Sequence, residues 1–306
     1  MLDCAAMKLP TSLLFTAASL VLLSCSLSAF AQEVNRPSIV PQRSQTAMQE
    51  IVAKVAEKVE KVGCRSSQCL LLVTDFSISS SATSHAAVQL TDQLALLLAN
   101  ALPKVRFIQG ASLRKFMNIN RIPLELLAED HATRWLGREL GATTVVSGEF
   151  NFKPGGPEVK FKIFDSRPKG KKIESFSTKL PDLPYRAEDL QPREPYSKLD
   201  KVIKNDDGAV IPSAGKGGVT VPKCTFTPNP SYTDPAREAK FSGYLTVEAI
   251  VTPQGTVEVQ RIVRGLPFNL NEQSRRMLET WRCNPATENG GPVSALVMFE
   301  VNFRLY

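Results

Sequence analysis

The sequence ends in a strict alternation. Val293, Ala295, Val297, Phe299, Val301, Phe303 and Leu305 place an apolar side chain at every second position. Only an extended strand turns a period of two into one apolar face, so this segment predicts a strand with one side in a core. The opposite side then carries Ser294, Leu296, Met298, Glu300, Asn302 and Arg304. A strand cannot satisfy its backbone alone, and the preceding residues supply partners. Leu245, Val247, Ala249 and Val251 alternate in the same way. Thr252-Pro-Gln-Gly255 then reads as a tight turn, with Pro at the second position and Gly at the last, and Val257, Val259, Arg261 and Val263 continue as the return strand. Asn271 to Arg282 reads as a helix that spaces Leu270, Ser274, Met277, Leu278 and Trp281 along one face, until Cys283-Asn-Pro285 stops it. Residues 224–306 thus predict a β-β-α-β unit.

That unit is a small part of 306 residues. At roughly 100–200 residues per domain there is room for about one more. The apolar positions Ile51, Val52, Val55, Val59 and Val62 mark an amphipathic helix from Ala47 to Val62. The run Cys69 to Phe76 reads as a buried strand, Ala86 to Leu102 as a helix and Val105 to Ile108 as a strand. A short helix from Leu113 to Asn118 follows, then a helix from Leu124 to Leu140 that stops at Gly141. Thr143 to Phe150, Glu158 to Asp165 and Lys172 to Lys179 form a strand meander. Residues 47–180 therefore predict an α/β sandwich, and the chain as a whole an α+β protein. Between the blocks, residues 181–223 carry Pro181, Pro184, Pro192, Pro195, Pro212 and Pro222 and the cluster Gly215, Gly217 and Gly218, which reads as a linker.

The N-terminus reads as an address. Lys8 precedes an apolar run from Leu13 to Phe30, and Ala29-Phe30-Ala31 is a small-x-small exit, as in a secretory signal peptide over residues 1–31. Two other readings stay open: a lipobox at Leu22-Leu23-Ser24-Cys25, with Cys25 lipidated, or an uncleaved anchor over Pro10 to Ala31. All three export the rest of the chain. Export makes disulfides the natural state of Cys64, Cys69, Cys224 and Cys283. Three connectivities exist. The expected pairs are Cys64–Cys69 and Cys224–Cys283, because each lies inside one block; free thiols at Cys64 and Cys69 are the alternative.

Composition narrows the function classes. Mean hydropathy is -0.10 and one stretch alone is long and apolar enough to span a bilayer, which excludes a polytopic membrane protein. The excess of 37 Lys and Arg over 30 Asp and Glu suits an acidic surface without selecting one. With two histidines and no Cys/His cluster, no metal or cofactor site is expected. Phosphate-loop, zinc-protease and nucleophile-elbow motifs are missing. His85 beside Ser84, with Asp75 upstream, leaves a hydrolase as a remote alternative. Asp206-Asp207-Gly208 lacks the further oxygens of a calcium loop, and Lys169-Gly-Lys-Lys172 lacks the aromatics of a nucleic-acid patch.

Two resemblances add to this reading. From Pro228 to Tyr306 the chain resembles the TonB C-terminal domain family. The residues that carry it are Pro230-x-Tyr232-x-x-Pro235-Ala236-x-x-Ala239, Gly243, the Pro-Gln-Gly turn, Trp281-Arg282-x-x-Pro285-Ala286, Gly291-Pro292-Val293 and Phe303-Arg304-Leu305. The string Ala132 to Glu149 and the strand ending Val73-Thr74-Asp75-Phe76 resemble the envelope α/β domain of the FlgO, CsgG, LpoB and TolB N-terminal types. The first resemblance implies a non-enzymatic periplasmic protein of a Gram-negative envelope. It also implies that a protein or extended peptide, such as a segment of an outer-membrane transporter, adds as a strand to the last strand's edge. Ser294, Leu296, Met298, Glu300, Asn302 and Arg304 would then choose the partner. A homodimer through that edge, a membrane-anchored energy transducer and an envelope assembly factor are the alternatives. Against the transducer, the family's N-terminal Ser/His pair is missing here, since His85 and His131 lie far downstream, and so is its long Pro/Lys/Glu rod. Glu300 and Arg304 also suit a second role, guarding a bare edge against aggregation.

Overall fold

A run of parallel strands with apolar residues on consecutive positions needs cover on both faces, and Leu70–Val73 is such a run. The computed structural model describes residues 42–78, 83–153, 156–167, 172–180, 189, 191–193, 199 and 202–304. The readings that fall on residues 1–31, with Cys4 and Cys25, and on the Lys169–Lys172 turn before its last residue lie outside that set. In chain order the first module has α1 (Gln42–Lys61), β1 (Leu70–Val73), β2 (Ser77–Ile78), α2 (His85–Ala101), β3 (Arg106–Ile108) and α3 (Gly110–Asn120). A 3-10 turn (Leu124–Ala128), α4 (Asp130–Glu139), β4 (Thr144–Lys153), β5 (Gly156–Asp165) and β6 (Lys172–Lys179) complete it. The sheet order is β3-β1-β4-β5-β6, with β2 beside β4. β1 is parallel to β3 and β4, and β4-β5-β6 is an antiparallel meander.

Cover comes from two helical layers. Val55 and Val59 of α1 and Leu90, Leu94 and Leu98 of α2 pack with Leu71, Val73, Val146 and Phe161 on one face. Leu113 and Met117 of α3 and Trp135 and Leu136 of α4 pack with Leu72, Val145 and Phe164 on the other. Ser84 caps α2, its hydroxyl accepting from the Ala87 N–H at 3.2 Å. The helix expected from Leu124 to Leu140 is two pieces instead. Glu129 has extended backbone (φ −86°, ψ 123°), and Thr133 turns its hydroxyl back to the Leu127 carbonyl at 2.9 Å across the break. Apolar spacing continues through the break, which is why periodicity alone runs the two together.

The second module keeps the predicted β-β-α-β order and adds short elements before its first long strand and after its helix. It comprises β7 (Lys223–Phe226), α5 (Asp234–Glu238), β8 (Gly243–Val251), β9 (Val257–Arg264), α6 (Leu270–Thr280), β10 (Arg282–Asn284), β11 (Ala286–Glu288), β12 (Gly291–Val293) and β13 (Ala295–Phe303). The main sheet is β13-β8-β9, antiparallel throughout. Leu245, Val247, Ala249 and Val251 of β8 are buried under α6, whose Leu270, Ser274, Met277 and Leu278 face inward. Two register shifts in the β8–β9 ladder break the simple alternation of β9. Ile262 thereby reaches the core, while Arg261 turns to the outer face and pairs with Glu248. Both disulfides form as expected. Cys64–Cys69 closes the loop before β1, and Cys224–Cys283 ties β7 to β10 over a sequence separation of 59.

The two modules share one core, and residues 41–306 cluster as a single unit. Phe268 sits 5.6 Å from Trp135 of the first module and 5.3 Å from Phe241 of the second, measured between ring centroids. Backbone locks the seam: the Gly265 N–H donates to the Arg121 carbonyl at 2.8 Å, and the Asn271 amide donates to the Asn120 carbonyl at 2.9 Å. A side chain at Gly265 would start 2.1 Å from the Asn120 oxygen, so only glycine permits this approach. Arg264 adds an ion pair with Glu125 at 3.0 Å.

Candidate strand-pairing edge

An antiparallel strand points the N–H and C=O of alternate residues to opposite sides. β13 pairs with β8 along its whole length, from Ala295↔Val251 to Phe303↔Gly243, without a register shift. Its other side is an edge. Leu296 shows which residues serve that edge: its N–H donates to the Pro212 carbonyl at 2.8 Å and its carbonyl accepts from the Ala214 N–H at 2.9 Å. By the two-residue period, Met298, Glu300 and Asn302 aim their backbone groups the same way. Among the described residues no strand meets those three.

The six residues singled out from sequence are thus placed as follows. Leu296, Met298, Glu300 and Asn302 lie within β13 on its outer face, and Ser294 and Arg304 bracket the strand. Met298, Glu300, Asn302 and Arg304 are exposed, with Met298 at 53%. The Asn302 amide donates to the Glu300 carboxylate at 3.0 Å, and Glu300 has no ion pair among the described residues. Two neighbouring cations on this face are engaged: Arg261 pairs with Glu248, and Arg264 lies 4.3 Å over the Tyr244 ring. On the inner face Phe299 and Phe303 anchor the strand, the first edge-on to Trp281 at 5.2 Å and the second to Tyr232 at 5.3 Å. The Trp281 indole N–H donates to the Pro228 carbonyl at 3.2 Å, and the Tyr232 hydroxyl, pushed above its usual pKa by burial, donates to the Phe241 carbonyl at 3.2 Å. A recess of about 490 Å³ opens at the far end of the strand, lined by Asn229, Pro230, Tyr232, Asn302, Phe303 and Arg304.

Sequence reasoning missed the segment that occupies Leu296. Within the span read as linker, residues 203–211 form a hairpin in which Lys204 bridges Val210 and the Ile211 N–H donates to the Ile203 carbonyl. Asp206-Asp207-Gly208 is simply its tip, held by the Asn205 side chain accepting from the Ala209 N–H at 2.7 Å. Pro212-Ser213-Ala214 then runs parallel to β13, with Ser213 opposite Leu296. Gly215, Gly217 and Gly218, all at positive φ, peel the chain away. Thr220 re-attaches it by accepting from the Thr287 N–H at 2.7 Å, just before the Cys224–Cys283 bridge. The glycine cluster was the available signal. It reads as flexibility until a neighbouring strand shows that it is a turn.

Of the residues named for a hydrolase, Asp75 and Ser84 are engaged otherwise. Asp75 is buried and takes Arg114 in a two-pronged pair at 2.7–3.0 Å, and Asp92 shares that guanidinium. Burial opposes the charge on Arg114, but the two carboxylates outweigh it and hold its pKa above the ordinary value. His85 is an exposed first residue of α2. Among the described residues no group of three His, Cys, Asp or Glu could hold a metal, and no helix is long and apolar enough to cross a membrane.

A comparison with curated proteins found no match to this chain. Among solved structures it is similar to the LpoB C-terminal domain from Salmonella enterica, at 18% identity over 44% of this chain and 96% of that one, with a TM-score of 0.34. It is similar to the Pseudomonas aeruginosa TonB C-terminal domain at 20% identity, over 30% and 92% of the two chains, with a TM-score of 0.23. It is also similar to lipoprotein GNA1162 from Neisseria meningitidis at 16% identity, over 36% and 80%, with a TM-score of 0.28. The last quarter of the chain, residues 228–305, which holds β13 and its edge, matches the family model of the Gram-negative bacterial TonB protein C-terminal.

Proposed function

We propose that this is a non-enzymatic protein of the Gram-negative cell envelope that captures an extended segment of a partner protein on the edge of β13. The observation that carries the reading is the row of Met298, Glu300 and Asn302, whose backbone groups face outward on a strand otherwise fully paired and anchored. Main-chain hydrogen bonds supply affinity in such a mode, and alternate side chains supply choice. The family match over residues 228–305 supports the same mode and an envelope location. An outer-membrane transporter segment is the proposed partner class, and a second copy of the chain the competing occupant.

The test is a titration of the isotope-labelled chain, from residue 32 onward, with N-terminal peptides of outer-membrane transporters. Amide shifts are expected at Met298, Glu300 and Asn302. If these amides stay still while the protein remains folded, strand capture at β13 is wrong. Sequencing the N-terminus of the protein recovered from cell membranes separates the transducer alternative: a mature chain beginning at Gln32 excludes it.

A further inference from the structure

The start of the β13 edge is taken by the chain itself, at Leu296, and this determines what the remaining three outward-facing residues can accept. We propose that Pro212-Ser213-Ala214 is a built-in register stop, so that an incoming segment pairs only with Met298 to Asn302 and places a cationic side chain beside Glu300. The inference rests on strand capture at β13 and specifies its register and its partner's chemistry.

Both hydrogen-bonding groups of Leu296 are satisfied by the Pro212 carbonyl and the Ala214 N–H. A strand sliding toward the start of β13 therefore meets an occupied slot. The stop is not a loose tail. On its N-terminal side stands the hairpin closed at Lys204↔Val210, and on its C-terminal side the Gly215–Val219 turn, the Thr220–Thr287 bonds and the Cys224–Cys283 bridge. Val219 packs with Ala286 and Ala295 beneath it. The free length is three outward-facing residues, which a segment of about seven residues covers with one overhang at each end. Selectivity follows from the charges. Glu248 is neutralised by Arg261, so Glu300, which has the Asn302 amide and no cation beside it among the described residues, is the carboxylate that β13 itself offers a partner. A same-face pair across a ladder stands close enough for opposite charges to attract and like charges to repel.

The probes are a seven-residue peptide, Thr-Val-Thr-Lys-Thr-Val-Thr, its counterpart with Glu for Lys, and an eleven-residue extension of the first. Its side chains read the same from either end, so direction does not bias the result. In the unmodified chain, the Leu296 amide should exchange slowly with solvent, and those of Met298, Glu300 and Asn302 quickly. The Lys peptide should slow the latter three, bind about threefold to tenfold more tightly than the Glu peptide, and gain nothing from extension. In Ala214→Pro, which deletes the donor to Leu296, the longer peptide should gain about threefold or more and shift the Leu296 amide. Fast exchange at Leu296 in the unmodified chain overturns the stop without need of the variant. So does binding at Met298–Asn302 that also shifts Leu296 or ignores the Lys/Glu exchange. If no peptide moves any of the three amides, strand capture itself fails and the stop falls with it.

Discussion

The two outer strands of the C-terminal sheet are finished in opposite ways. β9 runs into the first module: its last residue pairs with Glu125, the next donates to the Arg121 carbonyl, and Phe268 beyond it enters the shared core. β13 runs along solvent, with a short strap at its start and then three residues whose outward backbone groups meet no strand among the described residues. Bare edges invite aggregation, and a folded protein usually covers them. The contrast shows that one outer strand is tied at its end into the first module, while the other runs past solvent.

The contrast can be broken from the tied side first. Phe268→Ala removes a ring that is 1% exposed and bridges both modules, and should cost about 3–5 kcal/mol. Urea unfolding should then split into two transitions, whereas a single unshifted transition would show that the modules do not depend on the seam. The next effect is the disulfide beside the strap. Replacing Cys224 and Cys283 by Ser opens a loop of 59 residues and should cost about 4 kcal/mol on the chain-entropy view, against about 2 for the five-residue Cys64–Cys69 loop. Equal losses in thermal melts would contradict that ranking. Gly265→Ala forces a methyl against the Asn120 oxygen and should cost about 1–3 kcal/mol, read by chemical denaturation. The smallest stability effect belongs to the open side: Glu300→Lys should stay within about 0.5 kcal/mol of the parent, since its side chain is exposed and unpaired by charge. The same change should reverse the peptide preference from Lys to Glu. A large loss of stability would mean that Glu300 serves the fold and not a partner.

Much of the second module was legible in the sequence, because its cues are local. Val293 to Phe303 alternate, Pro253 and Gly255 mark their turn, and Leu270, Ser274, Met277 and Leu278 repeat at helical spacing. The six edge residues were legible as a face for the same reason. What stayed hidden depends on contacts distant in sequence. A glycine at 265 shows no sign that residue 120 will press against it, and Phe268 looks like any core residue of its own module. The bulges that send Arg261 outward and Ile262 inward leave no mark in β9's composition. Pro212-Ser213-Ala214 is too short to read as a strand, and it makes a single bridge only because Leu296 offers it a slot.

The placement of the two tryptophans gives the molecule a pair of built-in lamps. Trp135 lies against Phe268 at the seam between the modules, whereas Trp281 rests on Phe299 of the open strand, with its indole N–H near the Met277 sulfur. Sulfur and ring contacts alter indole emission, so replacing either tryptophan by Phe leaves a chain whose fluorescence follows one flank alone. Parting of the halves and arrival of a guest strand can then be watched as separate optical events, with no dye attached.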